Sequence, residues 1–191
     1  MDFSISDHFE FVILKQLEEY DQAEQRLTDA VLSKDSDLIN LARFDALRIG
    51  TNAIWHVHHF AEIVFTRINE RGAKPSEAEA FRQEIEHDHC RCLRSGAAVN
   101  DISILADAAD ALKHSILRRT DRLVSSRDQV LATSSEYGIM SYKYGGVDEV
   151  VILCNDNTKR FLTTCLENVV AAWRDYLTKH GHIMADHGTD K

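Results

Sequence analysis

At 191 residues, 44% hydrophobic and 28% charged, the chain is long enough for one domain with a sizeable core, and its single proline and eight glycines argue against a loop-rich or all-β design. A formal charge of −9 disfavours broad, non-specific binding to DNA or to anionic membranes, while leaving room for a local basic site that meets RNA. The apolar stretches are short and amphipathic, with no leader or membrane-spanning run. The four cysteines (Cys90, Cys92, Cys154, Cys165) are too few for a disulfide scaffold, so a cytoplasmic protein with reduced thiols is expected.

Residues 8–33 have the period of a first helix, with Phe9, Ile13, Tyr20, Leu27 and Val31 on one face and the charged residues opposite. Lys34-Asp35-Ser36 interrupts the pattern, and Ser36 or Asp37 is placed to cap a long helix reaching Arg71. Its apolar stripe runs Ile39, Ala42, Ala46, Ile49, Ala53, Val57, Phe60, Val64 and Ile68, yet Leu41, Phe44 and Trp55 fall on the other side. A helix apolar on two sides is expected to be buried on two sides, as the central rod of a bundle. In one piece it would reach about 54 Å, longer than such a domain is wide. That predicts a kink near Gly50 or a partner subunit covering the excess. Gly72 is placed to end it.

Ser76 with Glu79 makes a capping box for a third helix to about Gly96, with Ala78, Phe81, Ile85 and Cys92 inward. Asn100 or Asp101 caps a fourth, to about Arg119, with Ile102, Leu105, Ala109, Leu112 and Ile116 inward. Beyond Asp121, residues 129–134 and 139–144 alternate loosely, Gly145-Gly146 marks a hairpin turn, and Glu149 to Cys154 is rich in β-formers. A last helix, Lys159 to His180, gathers Phe161, Leu162, Cys165, Leu166, Val169, Trp173 and Tyr176 on one side and stops at Gly181; the polar residues 182–191 are expected to form a mobile tail. The predicted fold is mainly α. It is a single domain over residues 1–181, a bundle of about five helices with a small antiparallel β-hairpin or three-stranded insertion, about residues 129–154, before the last helix.

Histidine is plentiful, at ten residues, and two clusters raise the question of metal. On the long helix His58 and Glu62 are one turn apart and could share a divalent ion, whereas His56 and His59 point to other sides. In His87-Asp88-His89-Cys90-Arg91-Cys92, helical spacing separates the two cysteines by about 200°. His89 falls beside the apolar stripe as a hydrogen-bonded core histidine, and His87 points outward. The fourth helix offers Asp107, Asp110, His114 and Arg118 on one polar face, within about 80° of one another. There Asp110 could orient His114 as an acid–base group, with Arg118 stabilising phosphate charge. The bland alternative is a solvated charge ladder. Burial decides between them, because a site would face the long helix near His58 and Glu62. Tyr137, Tyr142 and Tyr144 with Lys143 could stack bases, but aromatic cross-strand pairs in a hairpin explain them. Neither a phosphate-binding glycine loop nor a nucleophile motif is present.

The run Ile54-Trp55-His56-Val57-His58-His59-Phe60-Ala61-Glu62, together with Asp107-Ala108-Ala109-Asp110-Ala111-Leu112-Lys113-His114, resembles helical proteins of the HEPN type over about residues 36–120. The resemblance implies a helical bundle from a group of bacterial and eukaryotic domains, many of them RNases or nucleotide-associated toxins and defence components. Their catalytic signature is an arginine followed, a few residues later, by a histidine near the start of a late helix. His114 is the natural histidine here, but Asp107, Ala108 and Ala109 stand where the arginine would be; Arg82 and His87 do have the spacing. The missing arginine implies a non-catalytic interaction module, self-associating or bound to a protein partner, with no cofactor. Two enzymatic alternatives stand beside it: a metal-independent RNase using His114, and a metal-dependent enzyme using His58 and Glu62 with Asp107, Asp110 or His114.

Overall fold

The computed structural model describes residues 3–72, 74–114, 116–117, 121–133 and 148–184. The expected strand at 139–144, the Gly145-Gly146 turn, the tyrosines at 137, 142 and 144, Arg118 and residues 185–191 lie outside that set.

The chain opens with α1 (Ile5–His8), whose cap Ser4 and Asp7 exchange hydrogen bonds of 2.9–3.0 Å. It passes without a break through a π-helical stretch, Phe9–Leu14, into α2 (Lys15–Ser33), so the three form one rod. The π stretch brings Phe9 and Ile13 into the core. Lys34 turns the chain in the left-handed region, and Asp35, rather than the Ser36 or Asp37 expected, caps α3 by accepting from Asp37 and Leu38 N–H.

Helix α3 (Ser36–Asn69) is continuous over 34 residues, about 51 Å at 1.5 Å per residue. It passes Gly50 without interruption. This glycine provides close approach: a Cβ there would lie 2.7 Å from Leu162 Cδ2 and 3.0 Å from Tyr20 Cε2. Glu70, at φ 52°, terminates α3, two residues before the glycine expected to do so. The middle of the apolar stripe, from Ala46 to Val64, is buried, but the ends open: Ile68 is exposed, and on the opposite side so are Leu41 and Phe44. Trp55, on the opposite side at the centre of α3, is only half-buried, so burial on two sides is partial there and fails towards the N-terminus.

Helix α4 (Pro75–His89) starts with Pro75 at its first position. Glu77, not the Ser76–Glu79 box, folds back to accept from Lys74 N–H at 2.9 Å, and Arg71 locks its carboxylate. The helix ends at His89, short of Gly96. Residues 90–98 form a tight excursion closed by a bridge between Arg91 and Ala98, with Gly96 at φ 71°, so Cys92 lies off the helix. Helix α5 (Asp101–His114) likewise stops before Arg119, leaving Ile116 exposed in a bridge with Ser126.

Strands β1 (Val130–Thr133), β2 (Glu149–Leu153) and β3 (Lys159–Phe161) form an antiparallel sheet of order β1-β2-β3, with Val130 opposite Ile152 and Val151 opposite Phe161. The third strand occupies the residues expected to begin the last helix. Asn157 at φ 65° and the Asp156 carboxylate, which accepts from Thr158 N–H, turn the chain back against β2. Helix α6 (Leu162–Lys179) follows at once and ends before Gly181 at φ 72°.

The core is continuous across helices and sheet. Phe60 of α3 meets Trp173 of α6 edge-on at 5.1 Å and Phe9 at 5.8 Å. Three buried carboxylates fasten the layers. Asp101, at the start of α5, accepts from Arg160 of β3 and from Asn168 Nδ2 of α6 at 2.7 Å. Asp148 accepts from Arg43 Nε at 2.7 Å, tying the sheet to α3. Glu24 of α2 accepts from Tyr20 Oη at 2.7 Å and from Thr163 Oγ1. Among the described residues no helix is long and apolar enough to cross a membrane.

Candidate functional site

A polar cleft of about 310 Å³ opens where α3, α4 and α5 converge, and helical spacing explains who lines it. His58 and Glu62 come from successive turns of α3; Pro75, Glu79, Arg82 and Gln83 from one side of α4; Ser103, Ala106, Asp107 and Asp110 from one stripe of α5. Arg122, from the irregular segment after α5, closes the wall.

Asp107 is buried at its base. Its Oδ1 accepts from Arg122 Nη1 at 2.5 Å and its Oδ2 from Leu123 N–H at 2.6 Å. Arg122 Nη2 also lies 3.3 Å from Asp110 Oδ2, so one guanidinium holds both carboxylates. This face of α5 is not a solvated charge ladder over Asp107 and Asp110. It turns out to solvent only at His114, which is exposed and does not line the cleft. Of the residues the sequence singled out, His58, Glu62, Asp107 and Asp110 meet in one place.

His58 is 9% exposed, and its Nδ1 is buried with no hydrogen-bond partner among the described residues. Burial, aided by the nearby Arg82 and His59 charges and opposed by Asp110, pushes its pKa down to about 4. The ring is therefore neutral at pH 7. Arg82 Nη1 and Arg122 Nε are buried without partners too. Burial pulls the Arg82 pKa below its ordinary value, against the pull of Glu62 and Asp110. Beneath the cleft, His58 and Arg82 rest on Val57, Leu105 and Trp173 of the core.

Among the described residues no three His, Cys, Asp or Glu side chains gather closely enough to hold a metal ion. Around His58 the physical reason is visible: Asp107 and Asp110 are engaged by Arg122, and Glu62 lies 3.5 Å from His59 on its own helix. In the second histidine cluster, His89 Nδ1 pairs with Asp175 at 2.7 Å and the ring packs edge-on against Tyr176, hydrogen-bonded as expected but at the half-buried edge of the core. His87 points outward beside Asp88.

Arg82 and Arg122 are the two cations of the cleft, and neither is among the site residues expected there from the sequence. Arg82 follows Phe81 and precedes Ile85 by three, so its place beside the inward stripe of α4 was readable. Arg122 sits in a segment without periodicity and carries no comparable signal.

A second feature lies at the other end of α3. Leu38, Leu41 and Phe44 are exposed, Phe44 at 73%, around an apolar groove of about 720 Å³ whose floor includes Ala30 and Ala42. Arg26, Asp29, Asp45 and Arg48 form its rim; Asp45 accepts from Arg26 at 2.9 Å and from Arg48 at 2.6 Å. Comparison of the chain with protein-family models, with curated proteins and with solved structures finds no match.

Proposed function

We propose that this protein is a HEPN-like helical interaction module that works as a homodimer, paired through the amino-terminal half of α3. The observation that carries the reading is the uncovered Leu38–Leu41–Phe44 face, on the helix whose centre is the core of the fold. A two-fold contact needs one patch that complements itself. Here the projecting Phe44 and Leu41 adjoin the groove floored by Ala30 and Ala42, so the ridge of one copy can enter the groove of the other. The rim carries two arginines and two aspartates, so copies of a chain with net charge −9 meet there without repulsion.

Sedimentation velocity tests this. The wild-type chain is expected at twice its formula mass in the micromolar range, and Phe44→Glu at its formula mass with an unchanged circular dichroism spectrum. A wild-type monomer up to about 100 μM, weaker than a specific dimer of ordinary affinity, overturns it.

The cleft supports recognition over acid–base catalysis. A general base works best with a pKa near the working pH, and a ring held at about 4 is a poor proton acceptor at neutrality. Purified protein is expected to leave total cellular RNA intact with and without EDTA. Cleavage lost in His114→Ala would replace this reading with a metal-independent RNase, and cleavage lost with EDTA would replace it with a metal-dependent enzyme.

A further inference from the structure

We propose that the α3–α4–α5 cleft is a binding site for a small oxyanion, phosphate or carboxylate, borne on a molecule that also presents hydroxyl groups. The donors define the ligand. Arg82 Nη1 and Arg122 Nε are N–H groups that can only donate, and both are buried and without a partner among the described residues, in residues of one cleft. A buried donor without an acceptor is costly, and two on guanidiniums call for the same complement, an oxygen carrying negative charge. Asp107 does not complete these bonds: its two oxygens accept from Arg122 Nη1 and Leu123 N–H instead.

The remaining groups define the other end of the ligand. His58 Nδ1, buried and unpartnered, can accept from or donate to a hydroxyl. Glu62 and Glu79, on facing helices, are acceptors at the same cleft and suit hydroxyl donors. Size and charge exclude larger occupants. At about 310 Å³ the cleft is at the small end of the range for ligand pockets. Four carboxylates to two guanidiniums, on a chain of net charge −9, give no continuous positive track for a nucleic-acid backbone. The site is separate from the apolar face of α3, and neither proposal depends on the other.

Isothermal titration with inorganic phosphate, ribose 5-phosphate and L-malate separates the two oxyanion sources and the contribution of the hydroxyls. At least one of the two hydroxylated probes is expected to bind with Kd below about 1 mM, more tightly than inorganic phosphate, and to shift the His58 ring ¹⁵N signals. Arg82→Gln is expected to weaken binding by about tenfold to a hundredfold, the loss of one charge-assisted hydrogen bond. Glu62→Gln, a change at a half-exposed position that leaves the core alone, is expected to keep phosphate binding and to narrow the preference for the hydroxylated probes. No binding by any of the three probes overturns the proposal, as does binding that Arg82→Gln leaves unchanged. If Arg82→Gln fails to fold, Glu62→Gln decides: an unaltered preference among the probes overturns it.

Discussion

Arg122 holds Asp107 at 2.5 Å and Asp110 at 3.3 Å with its two terminal nitrogens, joining the irregular segment after α5 to the face of that helix. Asp107 also accepts from Leu123 N–H, so one carboxylate fixes both the side chain and the backbone of this segment. Removing it leaves the Leu123 amide without its acceptor and the Arg122 guanidinium with Asp110 alone. Asp107→Ala is expected to cost about 2–4 kcal/mol, somewhat below the range for a fully buried pair because Arg122 keeps some contact with water. Asp107→Asn, which retains an acceptor oxygen, is expected to cost about half as much. Urea unfolding measures both, and a loss under about 1 kcal/mol for the alanine variant would show that the segment is held by other contacts.

The buried imidazole of His58 makes stability depend on pH. Its folded-state pKa is pushed down to about 4, mainly by burial, from an ordinary value of 6.5. Between these values the unfolded chain binds the proton and the folded chain does not, so acid favours unfolding. The contribution is fully present above pH 6.5 and is lost as pH falls from 6.5 towards 4, by about 3 kcal/mol at most. Asparagine has no such titration. The difference in unfolding free energy between wild type and His58→Asn is therefore expected to shrink in that direction across this window, and a constant difference would contradict a buried neutral ring.

What the sequence made legible was periodic. The stripes of α2, α3, α5 and α6 follow from apolar spacing, and Phe9, Tyr20, Phe60, Leu105 and Trp173 are core residues as their positions predicted. Errors gathered where a local signal competed with a distant partner. Lys159–Phe161 has the letters of a helix start, but β2 was available to pair with it and Asp101 to receive Arg160. Leu41 and Phe44 have the spacing of a second buried face, but no neighbour among the described residues covers them. The cleft was half legible. Asp107 and Asp110 share a stripe by spacing alone, whereas their meeting with His58 is set by how α3 and α5 pack, and Arg122 enters from a segment without any period.

Gly50 offers a test of the packing between α2, α3 and α6. In an exposed helix, alanine in place of glycine gains roughly 1 kcal/mol from backbone entropy. Here the new methyl would stand 2.7 Å from Leu162 Cδ2 and 3.0 Å from Tyr20 Cε2, both on fully buried side chains. Moving Tyr20 also disturbs its hydrogen bond to Glu24. Overpacking of this kind costs about 1–3 kcal/mol, so Gly50→Ala is expected to be net destabilising despite the helical preference. A thermal melt in which the variant is the more stable protein would mean that the three helices can spread at this point without penalty.

The four thiols should differ sharply in reactivity. Burial pushes Cys90 up to about 12 and raises Cys154 and Cys165, and the Asp101 carboxylate raises Cys90 and Cys165 further. Cys92 lies off α4 in the 90–98 excursion, partly accessible, where hydrogen bonds from Ser95 hold its thiol below the ordinary value. The thiolate is the reacting species, so Cys92 combines the two properties that the other three lack. Native protein is expected to release about one equivalent of thionitrobenzoate rapidly from Ellman's reagent at pH 7.5, and all four only after denaturation. Cys92→Ser should abolish the rapid phase. If the rapid phase survives in that variant, one of the three buried cysteines is reached by local opening of the fold, which would place a weak point of the bundle at the end of α4, in α6 or beside the sheet.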